Sequence, residues 1–341
     1  MSEQKNNNYN LVILGSEWDL YINAYKDIVL GNVKYIKGYV PNGWLSKKLY
    51  SLHFTPRINN IVSLPFKSLW NNFFFKNLDK DDRILFLIFQ NWLRVDETTG
   101  TISYIRRCFE NCKITLFLQD VESSLINPYT LKKIDLLSYK SKCDLIISFD
   151  KEEAEKFNFS YHPTVFSHRH ISYSKKETSD VFFIGKHKGR LKLLIDIYDK
   201  LSCSGLNCLF IIQGVPCNQR IQREGIIYID ASISYYDVLE YIYNTQCILE
   251  ILQPGAVGYT YRVWEAISYN KRILTNNLSL KESPFFDKKY VSLFSDASNV
   301  DLSFFNNIGM PPFETNPHAD KIGPQKLINF IEKQLKISIN K

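Results

Sequence analysis

Short, unbroken apolar runs that recur between helix-like stretches constrain this chain more than any other feature. LVILG (11–15), RILFLIF (83–89), KITLFL (113–118) and DLIISF (144–149) carry no polar alternation. Such runs suit strands of a parallel sheet covered on both faces. Helical spacing follows or separates them at about 19–30, 102–112, 131–141 and after Asp150, and VKYIKGYV (33–40) is β-like. The rhythm stops at 161–180, a polar stretch with no sustained period, and then restarts. VFFIG (181–185), LNCLFIIQG (206–214), IIYID (226–230), CILEIL (247–252) and KRILTNN (271–277) read as strands or their exits. Helices are expected at 191–201, 234–245, 258–269 and 324–335.

The expected fold is therefore α/β, with two facing Rossmann-like, doubly wound parallel-sheet domains. A length of 341 residues fits two domains of ordinary size. The boundaries fall at 1–162, a linker at 163–179, a second domain at 180–322, and a C-terminal helical segment at 323–341 that packs back on the first domain. Ligands of such sheets bind beyond the carboxyl ends of the strands, at a switch point, and the cleft between two facing units is the default place for them.

Charge is uneven. The net charge is only +7, yet residues 31–78 hold seven cations (Lys34, Lys37, Lys47, Lys48, Arg57, Lys67, Lys76), ten aromatics and no acid. This points to an anionic partner surface, with Trp44, Lys47 and Lys48 as its candidates. The polar start, MSEQKNNNYN, lacks the layout of a signal peptide, so a cytoplasmic protein is expected, peripheral at the inner face of the membrane. Seven scattered cysteines without a CxxC give neither a disulfide framework nor a zinc site.

Two turns suit an anion. Gly185-Lys186-His187-Lys188-Gly189-Arg190 joins a strand to a helix with two glycines and three cations. It is neither GxGxxG nor a P-loop. Gly258-Tyr259-Thr260-Tyr261-Arg262 follows another strand and the loop Gln253–Val257. A helix beginning near Gly258 would offer free N–H groups, the Thr260 hydroxyl and the Arg262 guanidinium to phosphate. Glu265 lies three residues after Arg262, on the same helical face, where it could accept from sugar hydroxyls. A surface ion pair is the plain alternative for those two.

DVFFIGKHKGR followed by CILEILQPGAVGYTYRVWEAISYNKRILTNN resembles the donor-binding half of GT-B glycosyltransferases, above all bacterial enzymes of lipopolysaccharide and capsular polysaccharide assembly. The resemblance extends over residues 143–280 and is weaker over 1–140. It implies a metal-independent transfer from a nucleotide sugar to a lipid-linked or glycan acceptor, with no cofactor and no nucleic acid. It also implies that Glu265 contacts the ribose, while Gly185, Lys186, Arg190, Gly258, Tyr259, Thr260 and Arg262 surround the diphosphate. One departure matters: Gly258 stands where the family has a carboxylate, and the nearest acid, Glu250, reads as lying inside a strand. Retention and inversion both stay open.

An inverting transfer needs a base at a strand end of the first domain. Glu17, Asp19, Asp120, Glu122 and Asp150 are placed there, with Asp120 ranked first and Asp19 second; Asp150 reads most clearly as a helix cap. Asp79-Lys80-Asp81 has the form of a metal-binding DxD but precedes its strand, as a solvated turn does. Two other classes remain: a non-catalytic sugar-nucleotide-binding protein, and a basic module that binds membrane or nucleic acid.

Overall fold

A computed structural model describes residues 8–37, 43–55, 58, 61, 62, 64–122, 125–127, 133–171, 176, 178–252, 258–306 and 318–340. The chain divides into two units, residues 1–163 with 324–341, and residues 164–323.

The apolar runs become strands. In the first unit these are β1 (Asn10–Gly15), β2 (Val33–Lys37), β3 (Ile84–Phe89), β4 (Cys112–Leu118), β5 (Leu145–Ser148) and β6 (Ser160–Tyr161). They form one parallel sheet in the order β2-β1-β3-β4-β5-β6. Every residue of β3 is buried, which is why its sequence shows no alternation. The second unit holds β7 (Ser179–Lys186), β8 (Cys208–Gln213), β9 (Ile226–Ile229), β10 (Thr245–Glu250), β11 (Arg272–Thr275) and β12 (Val291–Leu293). This sheet is also parallel, in the order β12-β11-β10-β7-β8-β9.

These orders locate the switch points. In the first sheet the winding reverses between β1 and β3. In the second, three strands run outward from β7 to β9 and the next three return beyond β7, so the reversal lies between β7 and β10. Chain segments leaving those two strand ends diverge to opposite faces and open a crevice at the carboxyl end of the sheet.

Several expected elements shift. The stretch 131–141 gives only a short 3-10 turn, Leu136–Tyr139, among its described residues. The helix expected from 258 begins at Tyr261, with Thr260 as its N-cap, because Gly258 sits at φ 92, outside helical space. The basic segment, unassigned from sequence, contains helices Trp44–Phe54 and Trp70–Phe75. The supposed linker is built into the second unit over 164–171. Thr164, Val165, Phe166, Ser167 and Ile171 are buried, and Trp264 Nε1 donates to Thr164 Oγ1 at 2.6 Å. Residues 172–175 and 177 lie outside the described residues. Helix Pro324–Leu335 belongs to the first unit, where Phe330 packs on His162 at 5.2 Å between ring centroids. Among the described residues no helix is long and apolar enough to cross a membrane.

Candidate functional site

The β7/β10 switch point of the second unit gathers the two anion-suited turns. After β7 the chain turns through Lys188 (φ 40) and Gly189 (φ 76), and Arg190 caps helix Leu191–Cys203. Arg190 N–H donates to His187 O at 2.8 Å, and its Nη2 donates to Lys186 O at 3.1 Å. The guanidinium lies back over the strand end, close above Gly185. A Cβ on Gly185 would stand 3.4 Å from Arg190 Nη2 and 3.3 Å from the Phe183 ring. Burial holds the Arg190 pKa below its ordinary value; Glu250 opposes this and Arg262 adds to it. The nitrogen Nε of Arg190 is buried without a hydrogen-bond partner.

Glu250 is the last residue of β10, and sequence reasoning misjudged it. The strand ends two residues earlier than the apolar run CILEIL suggests, which brings this carboxylate to the switch point. It is buried and accepts from Thr275 Oγ1 at 2.5 Å and from Thr260 Oγ1. Burial raises its pKa, while the two threonines, Arg262 and Arg190 pull it down. The signal was present in sequence as an acid at the end of an otherwise apolar strand.

Thr260 links two of these parts. Its Oγ1 donates to Glu250 and accepts from Arg262 N–H at 3.1 Å, which caps helix Tyr261–Ser268. The Gly258 carbonyl accepts from Asn277 Nδ2 at 2.8 Å, so the loop after β11 holds the approach to that helix. The Tyr259 ring packs edge-on against Trp264 at 5.4 Å and Phe285 at 5.7 Å, so only its backbone stands near the helix start. Loop 253–257 lies outside the described residues.

Arg262 and Glu265 do not form a surface pair. Arg262 Nη1 donates to Glu265 Oε2, and Tyr235 Oη donates to Oε1 at 2.8 Å. The Glu265 side chain is 0% exposed and that of Arg262 is 23% exposed. Burial raises the Glu265 pKa, and Arg262 and Tyr235 lower it. Both carboxylate oxygens are thus engaged, and an incoming hydroxyl would have to take the place of one donor. Lys186 is exposed at the strand exit.

In the first unit the β1/β3 switch point holds a cavity of about 370 Å³. Glu17, Trp18, Gln90, Arg94, Gln119 and Asp120 are among its lining residues. Beside it Gly15 makes room for the Tyr35 ring, since a Cβ there would meet the Tyr35 hydroxyl at 2.0 Å. That hydroxyl instead donates to Ser16 O at 3.2 Å and accepts from Ser16 N–H at 3.1 Å. Of the candidate bases, Asp120 and Glu17 reach the cavity. Asp120 is exposed, and its Oδ1 accepts from Val121 N–H at 2.9 Å. The half-buried Tyr21 beside it has its hydroxyl pushed up to about 12, by desolvation first and then by the Asp120 charge. Asp19 is exposed at the start of helix Asp19–Ala24 and is not among the residues that line the cavity. Glu122 is tied to Lys156 at 3.1 Å, and Asp150 caps helix Lys151–Phe157 by accepting from Glu153 N–H at 2.9 Å. Arg94, Gln90 and Gln119 were not singled out from sequence, where nothing marks them apart from their position after strands. Asp79 accepts from Asp81 N–H at 3.0 Å, closing a turn ahead of β3.

In the basic segment Trp44, Lys47 and Lys48 are exposed on one helix. Lys67 departs from the expectation of a surface cation: it is buried, and burial lowers its pKa. Arg57 lies outside the described residues. Most of the aromatics pack together; Tyr50 stacks on Phe54 at 4.4 Å and meets Trp70 edge-on at 5.2 Å.

No family model matches the chain. No curated protein matches it either. Solved structures do. An α,α-trehalose-phosphate synthase (UDP-forming) from Burkholderia xenovorans, in complex with glucose-6-phosphate, is similar with a TM-score of 0.56 and 8% identity, over 96% of this chain and 100% of that one. The α,α-trehalose 6-phosphate synthase from Burkholderia multivorans gives 0.53 and 9%, over 96% and 98%. A trehalose-6-phosphate structure from E. coli bound with UDP-2-fluoro glucose gives 0.52 and 10%, over 96% and 97%. What these share with this chain is the fold, an α/β GT-B type with two six-stranded parallel sheets.

Proposed function

We propose that the chain is a glycosyltransferase that binds a nucleotide sugar on its second unit and transfers the sugar to a cell-surface glycan acceptor. One observation carries this reading. Arg190, Arg262 and the capped start of helix Tyr261–Ser268 converge on the β7/β10 switch point, with a buried carboxylate between the two cations. A leaving diphosphate needs such preorganised positive charge in a place poor in water. The arrangement supplies it from side chains, so no metal is invoked.

Arg262 would act as an exchangeable partner. In the free protein it neutralises Glu265. When a diphosphate docks at the helix start, the guanidinium turns to the phosphate oxygens, and Glu265 Oε2 becomes available to a ribose hydroxyl. Charge-assisted bonds are then exchanged one for one, with no buried charge left alone. Asp120, in the cavity of the first unit, is the candidate base that would accept the acceptor's proton, if the transfer inverts.

The acceptor is proposed to be a lipid-linked or glycan chain of lipopolysaccharide, O-antigen or capsule type, met at the inner face of the cytoplasmic membrane. The sequence resemblance and the acid-free basic segment support this. One of the similar solved structures is in complex with glucose-6-phosphate and another is bound with UDP-2-fluoro glucose, so uridine nucleotides and a sugar-phosphate acceptor belong in the first trial. The test is turnover of a panel of UDP-, GDP-, CMP- and dTDP-sugars with lipid-linked and soluble acceptors. Stabilisation by a nucleotide without turnover on any acceptor would favour a binding protein. Absence of both would end the reading.

A further inference from the structure

We infer that helix Trp44–Phe54, together with Ile61, Val62, Phe66 and Leu69, forms a bilayer-docking face that lays leucine and tryptophan side chains into an anionic lipid surface. The helix is apolar on two sides. Tyr50 and Phe54 are buried and join the aromatic cluster around Trp70. On the other side Trp44, Leu45, Leu49 and Leu52 are exposed, by 71%, 64%, 47% and 46%. Positions 44, 45, 48, 49 and 52 follow one another at helical spacing, so they form one outward stripe. A helix that needs only one apolar face to pack has a second one in water.

The stripe does not stand alone. Ile61, Val62, Phe66 and Leu69 are also exposed, the first by 84% and Phe66 by 70%. Trp70, next to them in sequence, is anchored beside the helix by donating from Nε1 to His53 Nδ1 at 2.8 Å. Phe66 holds its outward side chain on a left-handed backbone, φ 64, which an aromatic residue rarely adopts. Exposed apolar side chains scattered singly need no explanation, but a run of them rimmed by polar groups marks an interaction surface.

Charge selects the occupant. Lys47 and Lys48 are exposed on the same helix, Lys76 is exposed nearby in sequence, and no acid occurs anywhere from 31 to 78. Lys48 Nζ sits 4.0 Å from the Trp44 ring, which keeps a cation and an interfacial aromatic together. Apolar residues with tryptophan on one side and lysines beside them describe a helix lying in the plane of an anionic membrane. A protein partner of mixed charge would leave these lysines without a complement. The inference deepens the acceptor half of the reading above and is independent of its nucleotide half.

The experiment is co-sedimentation of the full chain with vesicles of phosphatidylcholine alone and of phosphatidylcholine with phosphatidylglycerol, without nucleotide. Binding is expected only with the anionic lipid. Leu49→Ser/Leu52→Ser and Lys47→Glu/Lys48→Glu should each weaken it at least about tenfold, given about fivefold per surface cation. Added salt should weaken binding of the wild type more than that of the lysine variant. Trp44→Phe should remove the vesicle-induced blue shift of tryptophan emission. Thermal melts verify that each variant folds; should the leucine variant fail to, the exposed lysines carry the test. Equal vesicle binding by folded variants overturns the inference. So does failure of the wild type to bind anionic vesicles, whatever the nucleotide assays give. A concentration-dependent dimer of the wild type that Leu49→Ser/Leu52→Ser dissolves would overturn it in favour of a second copy on this face.

Discussion

Arg262 and Glu265 sit one helical turn apart and share a hydrogen bond, yet only Arg262 reaches solvent. The buried acid is held from inside by Tyr235, while the guanidinium is partly exposed. The pair therefore looks outward through its cation alone.

Arg262→Ala should cost more than a ligand contact. It leaves a buried carboxylate with Tyr235 as its remaining side-chain partner, and breaking a buried pair costs about 3–5 kcal/mol. Arg262 is partly exposed, so the low end is expected. Burial already holds the Glu265 pKa above its ordinary value, and Arg262 opposes this. Without Arg262 the folded pKa rises further. A carboxyl whose folded pKa exceeds its unfolded one binds more protons when folded, so stability falls as pH rises between the two values. The deficit of Arg262→Ala against wild type should thus be smaller at about pH 5 than at about pH 8 in thermal melts. A deficit independent of pH would mean that Glu265 does not depend on Arg262.

Nucleotide affinity should separate the two residues. Arg262→Ala should weaken a nucleoside diphosphate more than the nucleoside, by roughly ten- to a hundredfold for the diphosphate. Glu265→Gln should weaken both alike, because both carry the ribose. Calorimetry on folded variants measures this, and wild-type affinities in both would place the donor site elsewhere.

Gly185→Val tests the fit of Arg190. The added Cβ starts 3.4 Å from the guanidinium and 3.3 Å from the Phe183 ring, and the two methyl groups beyond it are expected to crowd Arg190 at the strand end. Diphosphate affinity should drop about tenfold, the value of one charge-assisted bond, with a small change in melting temperature. An unchanged affinity would remove Arg190 from the site.

Asp120→Asn should lower turnover by about 10²–10⁴-fold while donor binding stays intact, as expected for loss of a general base. Asp19→Asn should have little effect, since Asp19 is exposed and does not line the cavity. If both variants turn over normally, Glu17 becomes the residue to replace, or the transfer needs no protein base.

EDTA should leave activity unchanged, because the diphosphate would be held by Arg190, Arg262 and a helix start. Complete loss with rescue by manganese would overturn the site as described.

Much of the fold could be read from the sequence because parallel strands buried on both faces are unbroken apolar words. β3 is the clearest example, with six buried residues in a row. Strand order was not legible, since it depends on pairing between distant segments. The two anion-suited turns were visible as glycines and cations after strands, but only the β12-β11-β10-β7-β8-β9 order sets them at one switch point. Glu250 was misread because an apolar run does not say where its last hydrogen-bonded residue lies. The depth of Glu265 was hidden for a related reason. Its spacing from Arg262 is local, whereas its inner partner is Tyr235, thirty residues earlier. The outward leucines of helix Trp44–Phe54 were not legible, because leucine at helical spacing reads equally as a core face and only the packing of Tyr50 and Phe54 turns it outward.

The chain returns to its starting unit at the end. Tyr9 N–H donates to Ser338 O at 2.8 Å, Asn340 N–H donates to Tyr9 O at 2.9 Å, and helix Pro324–Leu335, with Leu327, Ile328 and Ile331 buried, belongs to the first unit. Order of synthesis is therefore not order of completion. On the ribosome the second unit has all its residues before 324–340 emerge, so the first unit is expected to be completed last. Removing residues from Pro324 onward should therefore spare the second unit and destabilise the first, the earliest-made part.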